Sequence, residues 1–274
     1  MLVLFVLTTT SALADITVGI FPRRDVSTSH KIFKPLALYL SQELGEKVVL
    51  DVPKDFDAFW KSLGEKKYDL VHFNQYHYLR GNKEFGYKVI VSNKEQGSKQ
   101  IAGAFSVRKD SGINTLDDLH GNTILFGGGK KAMGSYIAPT AILKKAGLKA
   151  EVDYKVSFAK NPPNAVIAVF NKAADAAGSG NVILNIGAVK KKVDVSQMKI
   201  LAQSEPFVQL PWAVHPDMSA EKMKQIQALM VGLEENDAGK EVLKAAKVDA
   251  FYTVSDADFA KVKEIVEFTL GETY

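Results

Sequence analysis

The chain of 274 residues contains no cysteine. Disulfide bonds, thiolate metal ligands, cysteine nucleophiles and a lipid-modified cysteine are therefore excluded. An excess of charge of one sign is also lacking, because 35 basic residues are opposed by 31 acidic ones spread along the chain, which leaves a formal net charge of +4. Without a basic stripe there is no footprint for a phosphodiester backbone, so nucleic acid is excluded as a partner.

Long apolar runs are lacking too, since none approaches the roughly 20 residues of a membrane-spanning helix. The first fourteen residues, MLVLFVLTTTSALA, are apolar and end in the small-x-small sequence Ala12, Leu13 and Ala14, which signal peptidase accepts. We expect residues 1–14 to be a signal peptide cleaved after Ala14, which leaves an unlipidated, periplasmic monomer. A buried amino-terminal strand is the alternative, because no Lys or Arg precedes the apolar run.

Catalytic motifs are absent as well. The chain has no serine-elbow, His-Glu-x-x-His, paired-cysteine or Rossmann glycine motif, so we expect neither enzyme activity nor a cofactor. Of the five histidines, only His72 and His77 lie close together in the sequence. With Tyr76 and Tyr78 they leave a metal-ion binder open as an alternative, although a surface or capping role explains each histidine more simply.

Short apolar runs alternate with helical runs from Asp15 onward, which is typical of an α/β fold with mainly parallel sheets. Leu36, Leu40 and Leu44 recur at helical spacing. Because Pro35 is tolerable only in a first turn, the first helix is expected to begin close to that residue. Strands are predicted at residues 16–20, 47–52, 68–73, 87–91 and 101–110.

The alternation restarts after residue 112, with strands predicted at residues 123–126 and 154–158 and helices at 136–145 and 165–171. The chain then returns through residues 207–214 and ends in helical runs at 220–233, 240–246 and 255–271, which we expect to pack on the first lobe. Lobe I is therefore predicted to comprise residues 15–105 and 214–274, and lobe II residues 106–213. Crossover strands near Ala104 and Trp212 would form the hinge beside an interlobe cleft.

A glycine-rich segment, FGGGKKAMGSY at residues 126–136, lies between a predicted strand and a predicted helix. Converging backbone N–H groups, the positive end of the helix and two lysines all favour an anion. The predicted anion donors are Gly128, Gly129, Lys130, Gly134 and Ser135, with Tyr136 beside them. The segment is not a Walker loop, since the Gly-Lys-Ser/Thr order is missing, and an ordinary turn with solvated lysines explains it equally well.

A second cluster, at residues 72–78, follows the third predicted strand, where α/β folds place their clefts. Asn74, Gln75, Tyr76 and Tyr78 are predicted to form the first-lobe wall of the ligand site. Asn164 would face them, or would cap its own helix. Arg23, just after the first strand and followed by Arg24, is a weaker candidate for neutralising the ligand's charge.

The order of several segments resembles the family of periplasmic binding proteins for phosphonate, phosphite and phosphate ABC transporters. The resemblance covers nearly the whole chain after residue 15, through VGIFP at 18–22, KPLALYL at 34–40, VRKDSGI at 107–113, LDDLHG at 116–121, SYIAP at 135–139, NAV at 164–166 and ADAA at 174–177. It implies a two-lobed, type II periplasmic-binding-protein fold that closes on a small anion. The partner that it implies is the transporter's permease in the inner membrane.

The resemblance also implies site residues, and here the sequence departs from the family pattern. The family's Ser-Thr-Ser-Gly run before the tyrosine is matched by AMGS at residues 132–135. Phe56 and Phe73 match the family's pocket aromatics, Asn164 matches a histidine, and the family's acidic residue falls near Asn181. A ligand without phosphorus, such as a metal ion, an amine or another small solute, is therefore one alternative. A sensor module for a membrane kinase is another.

Overall fold

The computed structural model describes residues 15–274, so the predicted signal peptide lies outside the described residues. Within them, the strands are β1 (Ile16–Ile20), β2 (Val48–Asp51), β3 (Leu70–His72), β4 (Lys88–Lys94), β5 (Gln100–Ile101), β6 (Gly103–Arg108), β7 (Thr123–Phe126), β8 (Lys155–Phe158), β9 (Ala176–Gly180), β10 (Met198–Gln203), β11 (Phe207–Val208), β12 (Pro211–Val214) and β13 (Ala250–Thr253).

The α-helices of the described chain cover both faces of the sheets. They are α1 (Val26–Leu44), α2 (Phe56–Gly64), α3 (Gln75–Phe85), α4 (Ala138–Lys145), α5 (Pro162–Phe170), α6 (Gly187–Lys190), α7 (Ala220–Val231), α8 (Asp237–Ala246) and α9 (Ala260–Leu270). A π-helical turn, Met133–Ile137, leads directly into α4.

Two sheets form the centres of two lobes. The first has the strand order β13-β4-β12-β3-β1-β2, and the second has the order β10-β6-β9-β7-β8. In the first sheet β1 runs parallel to β2 and β3, and in the second β7 runs parallel to β8 and β9. On one face of the first sheet an apolar cluster includes side chains of α1, α7 and α8. On the other face a second cluster includes side chains of α2, α3 and α9. The carboxyl ends of β1, β3, β7 and β8 therefore carry the loops that can line a cleft.

The first helix begins earlier than the proline suggested. Asp25 accepts a hydrogen bond from the Thr28 backbone N–H (2.8 Å) and so caps α1, which places Pro35 in the helix interior. A proline there cannot donate to the carbonyl of Lys31 four residues earlier. Lys31 is exposed, so water can satisfy that carbonyl, while Leu36 and Leu40 hold the helix on the sheet.

The chain changes sheets slightly earlier than predicted at both crossings. β6 already belongs to the second sheet from Gly103, and β12 belongs to the first, with Trp212 paired to His72. The two crossing segments pair through the short antiparallel strands β5 and β11. Trp212 is fully buried and its indole N–H donates to Asn93 (3.0 Å), so this residue anchors a core strand rather than the crossing itself.

Four elements were not predicted from the sequence: α3, α6, β10 and β13. The predicted return of the last three helices to the first lobe holds for α7 and α8, but α9 also packs against α4 of the second lobe. The Lys144 ammonium on α4 donates to the backbone carbonyl of Phe268 on α9 (2.7 Å). The carboxyl-terminal helix therefore bridges the two lobes on one side of the cleft.

Candidate ligand-binding cleft

The turn after β7, residues 127–132, is called the glycine loop here. A Cβ on Gly127 would collide with Pro162 at the start of α5, so this glycine lets the turns after β7 and β8 pack side by side. Gly128 has a φ of +148°, a conformation that side chains disfavour. Gly129 has open space around it. Two glycines therefore shape the loop, and the third leaves room beside it.

The backbone of the glycine loop has N–H groups that lack an acceptor. Among residues 15–274, the N–H groups of Gly128, Gly129, Lys130 and Lys131 donate to no backbone or side-chain acceptor. Ser135 does not add a free hydroxyl, because its Oγ is buried and donates to the carbonyl of Gly127 (3.1 Å). Consecutive unpaired amides beside a helical turn are the arrangement that holds anions through the backbone.

Exposed lysines lie in the glycine loop and in the neighbouring turn after β8 on the second lobe. Lys130 and Lys131 in the glycine loop and Lys160 in the turn after β8 are exposed. Within the described chain, none of the three makes an ion pair within 4.0 Å. Their charge is therefore available to a ligand.

On the first lobe, Asn74 and Gln75 are used by the fold. Asn74 caps α3 by accepting from the His77 N–H (2.8 Å), and its Nδ2 donates across the cleft to the Lys131 carbonyl (3.4 Å). Gln75 is 3% exposed and donates to the carbonyl of Val208 in the crossing segment (2.9 Å). Both predicted ligand donors thus connect α3 to the second lobe or to the hinge.

The two tyrosines of this cluster point to the carboxyl-terminal region. The Tyr76 hydroxyl donates to Glu272 (2.9 Å), and the Tyr78 hydroxyl donates to Asp256 (3.1 Å). Burial, followed by the neighbouring carboxylate, raises the pKa of each phenol above its usual value. Phe73 is fully buried among Phe59, Tyr78 and Tyr87. These rings belong to the core and not to the surface of the cleft.

The aromatic and histidine positions form stacks. Phe56 is half-buried and its ring stacks on His77 (centroids 4.6 Å apart), while His72 stacks on Trp212 (4.4 Å). Burial lowers the pKa of His77 to about 3, with the charges of Arg80 and Lys131 adding to the effect. The two histidines therefore do not form the metal pair considered above, and no group of three metal-ligating side chains occurs among residues 15–274.

A second group of cations lies on the first lobe at residues 23–25, named the arginine corner. Arg23 approaches Glu95 (3.8 Å), whereas Arg24 is half-buried and makes no ion pair or hydrogen bond with any described residue. The charge of Arg23 and then burial lower the pKa of Arg24 to about 9, against the opposing effect of Glu95. Sequence reasoning ranked this pair below the glycine loop, because only the structure shows that Arg24 lacks a partner.

Asp25 is the third residue of the arginine corner, and a lysine of the opposite lobe affects its pKa. Its pKa lies below the usual range chiefly because the Thr28 N–H and hydroxyl donate to it, and Lys160 of the second lobe lowers it further. Lys160, in the turn after β8, therefore lies near enough to Asp25 for its charge to act on that carboxylate. The hydrogen bond between Asn74 and Lys131 places the glycine loop opposite the turn after β3.

The remaining predicted residues have different surroundings. Tyr136 is half-buried with its ring edge-to-face on Phe126 (4.9 Å). Asn181 exchanges two hydrogen bonds with the backbone of Ala102, at 2.9 and 3.2 Å, and so fixes the start of the second sheet beside the crossing. Asn164 is exposed and does not cap α5, because Asn161 accepts from its backbone N–H (3.0 Å).

A cavity of about 980 Å³ opens where α5 and α6 of the second lobe meet the end of α8 in the first. Asn161 and Asn164 line it on one side. Its rim carries four lysines against one carboxylate: Lys191, Lys192, Lys244 and Lys247, with Asp249. The glycine loop does not line this space, whose rim carries an excess of positive charge.

Two lobes joined by paired crossing segments, with unpaired donors in the cleft between them, define a two-lobed substrate-binding protein. The sequence model of the family described as "ABC transporter, phosphonate, periplasmic substrate-binding protein" matches residues 18–259. The chain belongs to this family, whose members are periplasmic substrate-binding components of ABC transporters. Among the described helices, none has the length and apolar character to cross a membrane.

Solved structures confirm the type II fold. A binding-protein component of an ABC phosphonate transporter from Pseudomonas aeruginosa superposes with a TM-score of 0.78 at 16% identity, over 93% of this chain and 86% of that one. PhnD1 from Prochlorococcus marinus, in complex with methylphosphonate, gives 0.79 at 18% identity, over 92% and 97%. At these identities the likeness establishes the fold alone.

A curated relative of another kind is the tetrathionate sensor histidine kinase of Salmonella typhimurium. It is 27% identical over 164 residues, which are 57% of this chain and 27% of the kinase. The chain thus spans about a quarter of the length of that relative.

Proposed function

We propose that the protein is the substrate-binding component of an ABC transporter that captures a small anion by closing its two lobes and presents it to a permease in the inner membrane. The observation that carries the proposal is the run of four unpaired N–H groups from Gly128 to Lys131. Preorganised backbone donors bind an anion without a compensating positive charge, and the nearby lysines add attraction. Residues 1–14 would serve for export, with the mature protein beginning at Asp15.

The proposal differs in one respect from the site implied by the family resemblance. Ser135, in the helical turn after the glycine loop, carries the one hydroxyl of residues 127–135, and it already bonds to Gly127. The ligand would therefore be held by amides and cations rather than by serine and threonine hydroxyls. This chemistry suits phosphate, phosphonate, sulfate and sulfonate groups alike, because all present several negatively charged oxygens.

Thermal unfolding of the mature chain, residues 15–274, tests the proposal. A ligand that binds only the folded state stabilises it by about 2.7 kcal/mol at a hundredfold excess over its Kd, which should raise Tm by several degrees. We expect shifts from phosphate, sulfate or methylphosphonate, and none from divalent cations or amines. Lys131→Gln should reduce the shift, whereas Lys149→Gln, an exposed lysine of the same lobe, should not. A shift from cations or amines alone would contradict the proposal.

A sensor module for a membrane kinase is the second candidate function, and the similarity to the tetrathionate sensor kinase favours it. The two functions share the cleft and differ in the partner. Loss of uptake of the bound anion in a strain lacking this protein would support transport. Unchanged uptake together with loss of an anion-induced transcriptional response would support sensing.

A further inference from the structure

Positive charge without a partner is divided between two separate places in the cleft. The glycine loop contributes Lys130 and Lys131 with no carboxylate within 4.0 Å among the described residues. At the arginine corner, three cations (Arg23, Arg24 and Lys160 opposite) meet two carboxylates (Asp25 and Glu95). Each place therefore retains an excess of positive charge.

The strand order places these two centres side by side. The glycine loop follows β7 and faces the turn after β3, where Asn74 donates to the Lys131 carbonyl (3.4 Å). The arginine corner follows β1, and its Arg23 approaches Glu95 (3.8 Å). Gln96, next to Glu95, lines the same cavity as Asn161, which is next to Lys160 in the turn after β8. In the first lobe the two centres adjoin β1 and β3, and in the second lobe they adjoin β8 and β7. Because β1 pairs with β3 and β7 pairs with β8, the two centres lie at the ends of neighbouring strands in both lobes. Neighbouring strands are about 4.8 Å apart, so the centres lie about 5 Å or more from each other.

Carboxylates of the chain neutralise the arginine corner only in part. Asp25 is turned toward the start of α1, where it accepts from both the N–H and the hydroxyl of Thr28 (2.8 and 2.7 Å). Glu95 accepts from the Asn93 side chain (2.8 Å) and approaches Arg23 rather than Arg24. A half-buried guanidinium is costly without an anionic partner, because burial removes water and Arg23 adds repulsion.

We infer that the ligand carries two anionic groups about 5 Å or more apart, one held by the glycine loop and the other by Arg24 and Lys160 across the cleft. This inference rests on the proposed function and narrows its substrate class to short bis-anions, such as disulfonates. A ligand with one anionic group would neutralise one centre only. A bis-anion neutralises both and also bridges the lobes twice, which favours the closed state.

Calorimetric titration of the mature chain with a matched pair of probes, propane-1,3-disulfonate and methanesulfonate, tests the inference. We expect the disulfonate to bind at least about tenfold more tightly, since the second group adds charge-assisted hydrogen bonds. Arg24→Gln and Lys160→Gln should each weaken the disulfonate by roughly 10- to 100-fold and leave methanesulfonate nearly unchanged. Lys131→Gln should weaken both probes.

Matched controls separate a local effect from a general loss of charge. Lys155→Gln removes an exposed lysine from the other end of the strand that precedes Lys160. Lys34→Gln removes one from α1, eight residues beyond its start, or about 12 Å along the helix. Neither should change the affinity of either probe. Because Lys160 is exposed, its variant retains the fold even if Arg24→Gln does not.

The outcomes distinguish this inference from the proposed function. If methanesulfonate binds as tightly as the disulfonate, or if Arg24→Gln and Lys160→Gln leave the disulfonate affinity unchanged, the two-centre inference is wrong while anion capture stands. If neither probe binds and phosphate, sulfate and methylphosphonate also leave Tm unchanged, both proposals fail.

Discussion

The turn after β3 and the turn after β7 occupy corresponding places in the two lobes, yet their polar groups differ in whether they are hydrogen-bonded within the protein. After β3, Asn74, Gln75 and Tyr76 are almost fully buried, and each bonds to another part of the chain. After β7, three successive glycines are followed by two exposed lysines, and four amides remain without an acceptor. The polar groups after β3 are thus bonded within the protein, whereas the amides after β7 have no acceptor among the described residues.

The difference shows how little the density of polar side chains says about a ligand site. A buried polar group must find a partner within the protein, and the side chains after β3 have found theirs in the hinge and the carboxyl-terminal region. Glycines contribute no side chain, so the backbone itself stays exposed. The site proposed in the second lobe therefore uses the backbone and exposed cations, while Asn74 and Gln75 of the first-lobe turn bond to the second lobe and to a crossing segment.

The largest expected effect concerns the shape of the glycine loop. Gly127→Ala would place a methyl group against Pro162, and we expect a loss of about 3 kcal/mol in the free energy of unfolding, since neither backbone can move away freely. Gly129→Ala meets open space and should change stability by less than about 0.5 kcal/mol. Urea denaturation measures both. Equal stabilities would show that the turns after β7 and β8 are not packed as described.

The next effect concerns pH and the first-lobe turn. The pKa of His77 is about 3 in the folded chain, below its unfolded value, so the unfolded state takes up the proton first. The stability that results is complete above about pH 6.5 and is lost as the pH falls toward 3, by about 2 kcal/mol between pH 7 and pH 5. His77→Phe keeps the stack on Phe56 and should make the acid dependence of urea denaturation shallower. Parallel curves for the two proteins would rule out this role.

A smaller effect is expected at Asn74, which caps α3. Asn74→Ala should cost about 1 kcal/mol of stability through the lost cap. It should also remove the hydrogen bond to Lys131 and so loosen the contact between the lobes. Asn74→Asp preserves the cap and serves as the matched variant. If Asn74→Ala stayed folded at the expected stability but no longer bound anions, Asn74 would contact the ligand directly, contrary to this account.

The smallest effect is expected at Tyr76. Tyr76→Phe removes the hydrogen bond to Glu272 and should lower stability by roughly 0.5–1 kcal/mol without changing the affinity for anions. Calorimetric titration and urea denaturation of the same variant separate these two quantities. A tenfold loss of affinity would show that Tyr76 contacts the ligand, as the sequence predicted.

The sequence predicted the α/β class and the two-lobed plan because apolar periodicity and turn residues are local signals. It did not predict β13 or β10, since short strands at the edges of sheets depend on neighbours distant in the sequence. Pro35 misled the prediction of α1 because packing of Leu36 and Leu40 on the sheet outweighs a missing hydrogen bond on the exposed side.

The candidate site was only partly predictable, for a related reason. The glycine loop was found from its composition, since glycines and lysines between a strand and a helix imply exposed amides. The turn after β3 offered the same abundance of donors, but whether a donor is free depends on acceptors such as Val208, Glu272 and Asp256, which lie far away in the sequence. Arg24 was ranked too low as a ligand contact, because the neighbouring sequence does not reveal whether a charged side chain has a partner.

Backbone amide NMR of the ¹⁵N-labelled mature chain, titrated with an anion that raises Tm, tests the central claim most directly. We expect the resonances of Gly128, Gly129, Lys130 and Lys131 to shift downfield and to saturate at the Kd found by calorimetry, because these N–H groups gain an acceptor. Shifts confined to the turn after β3, with the glycine loop unchanged, would contradict the assignment of ligand binding to the second-lobe backbone.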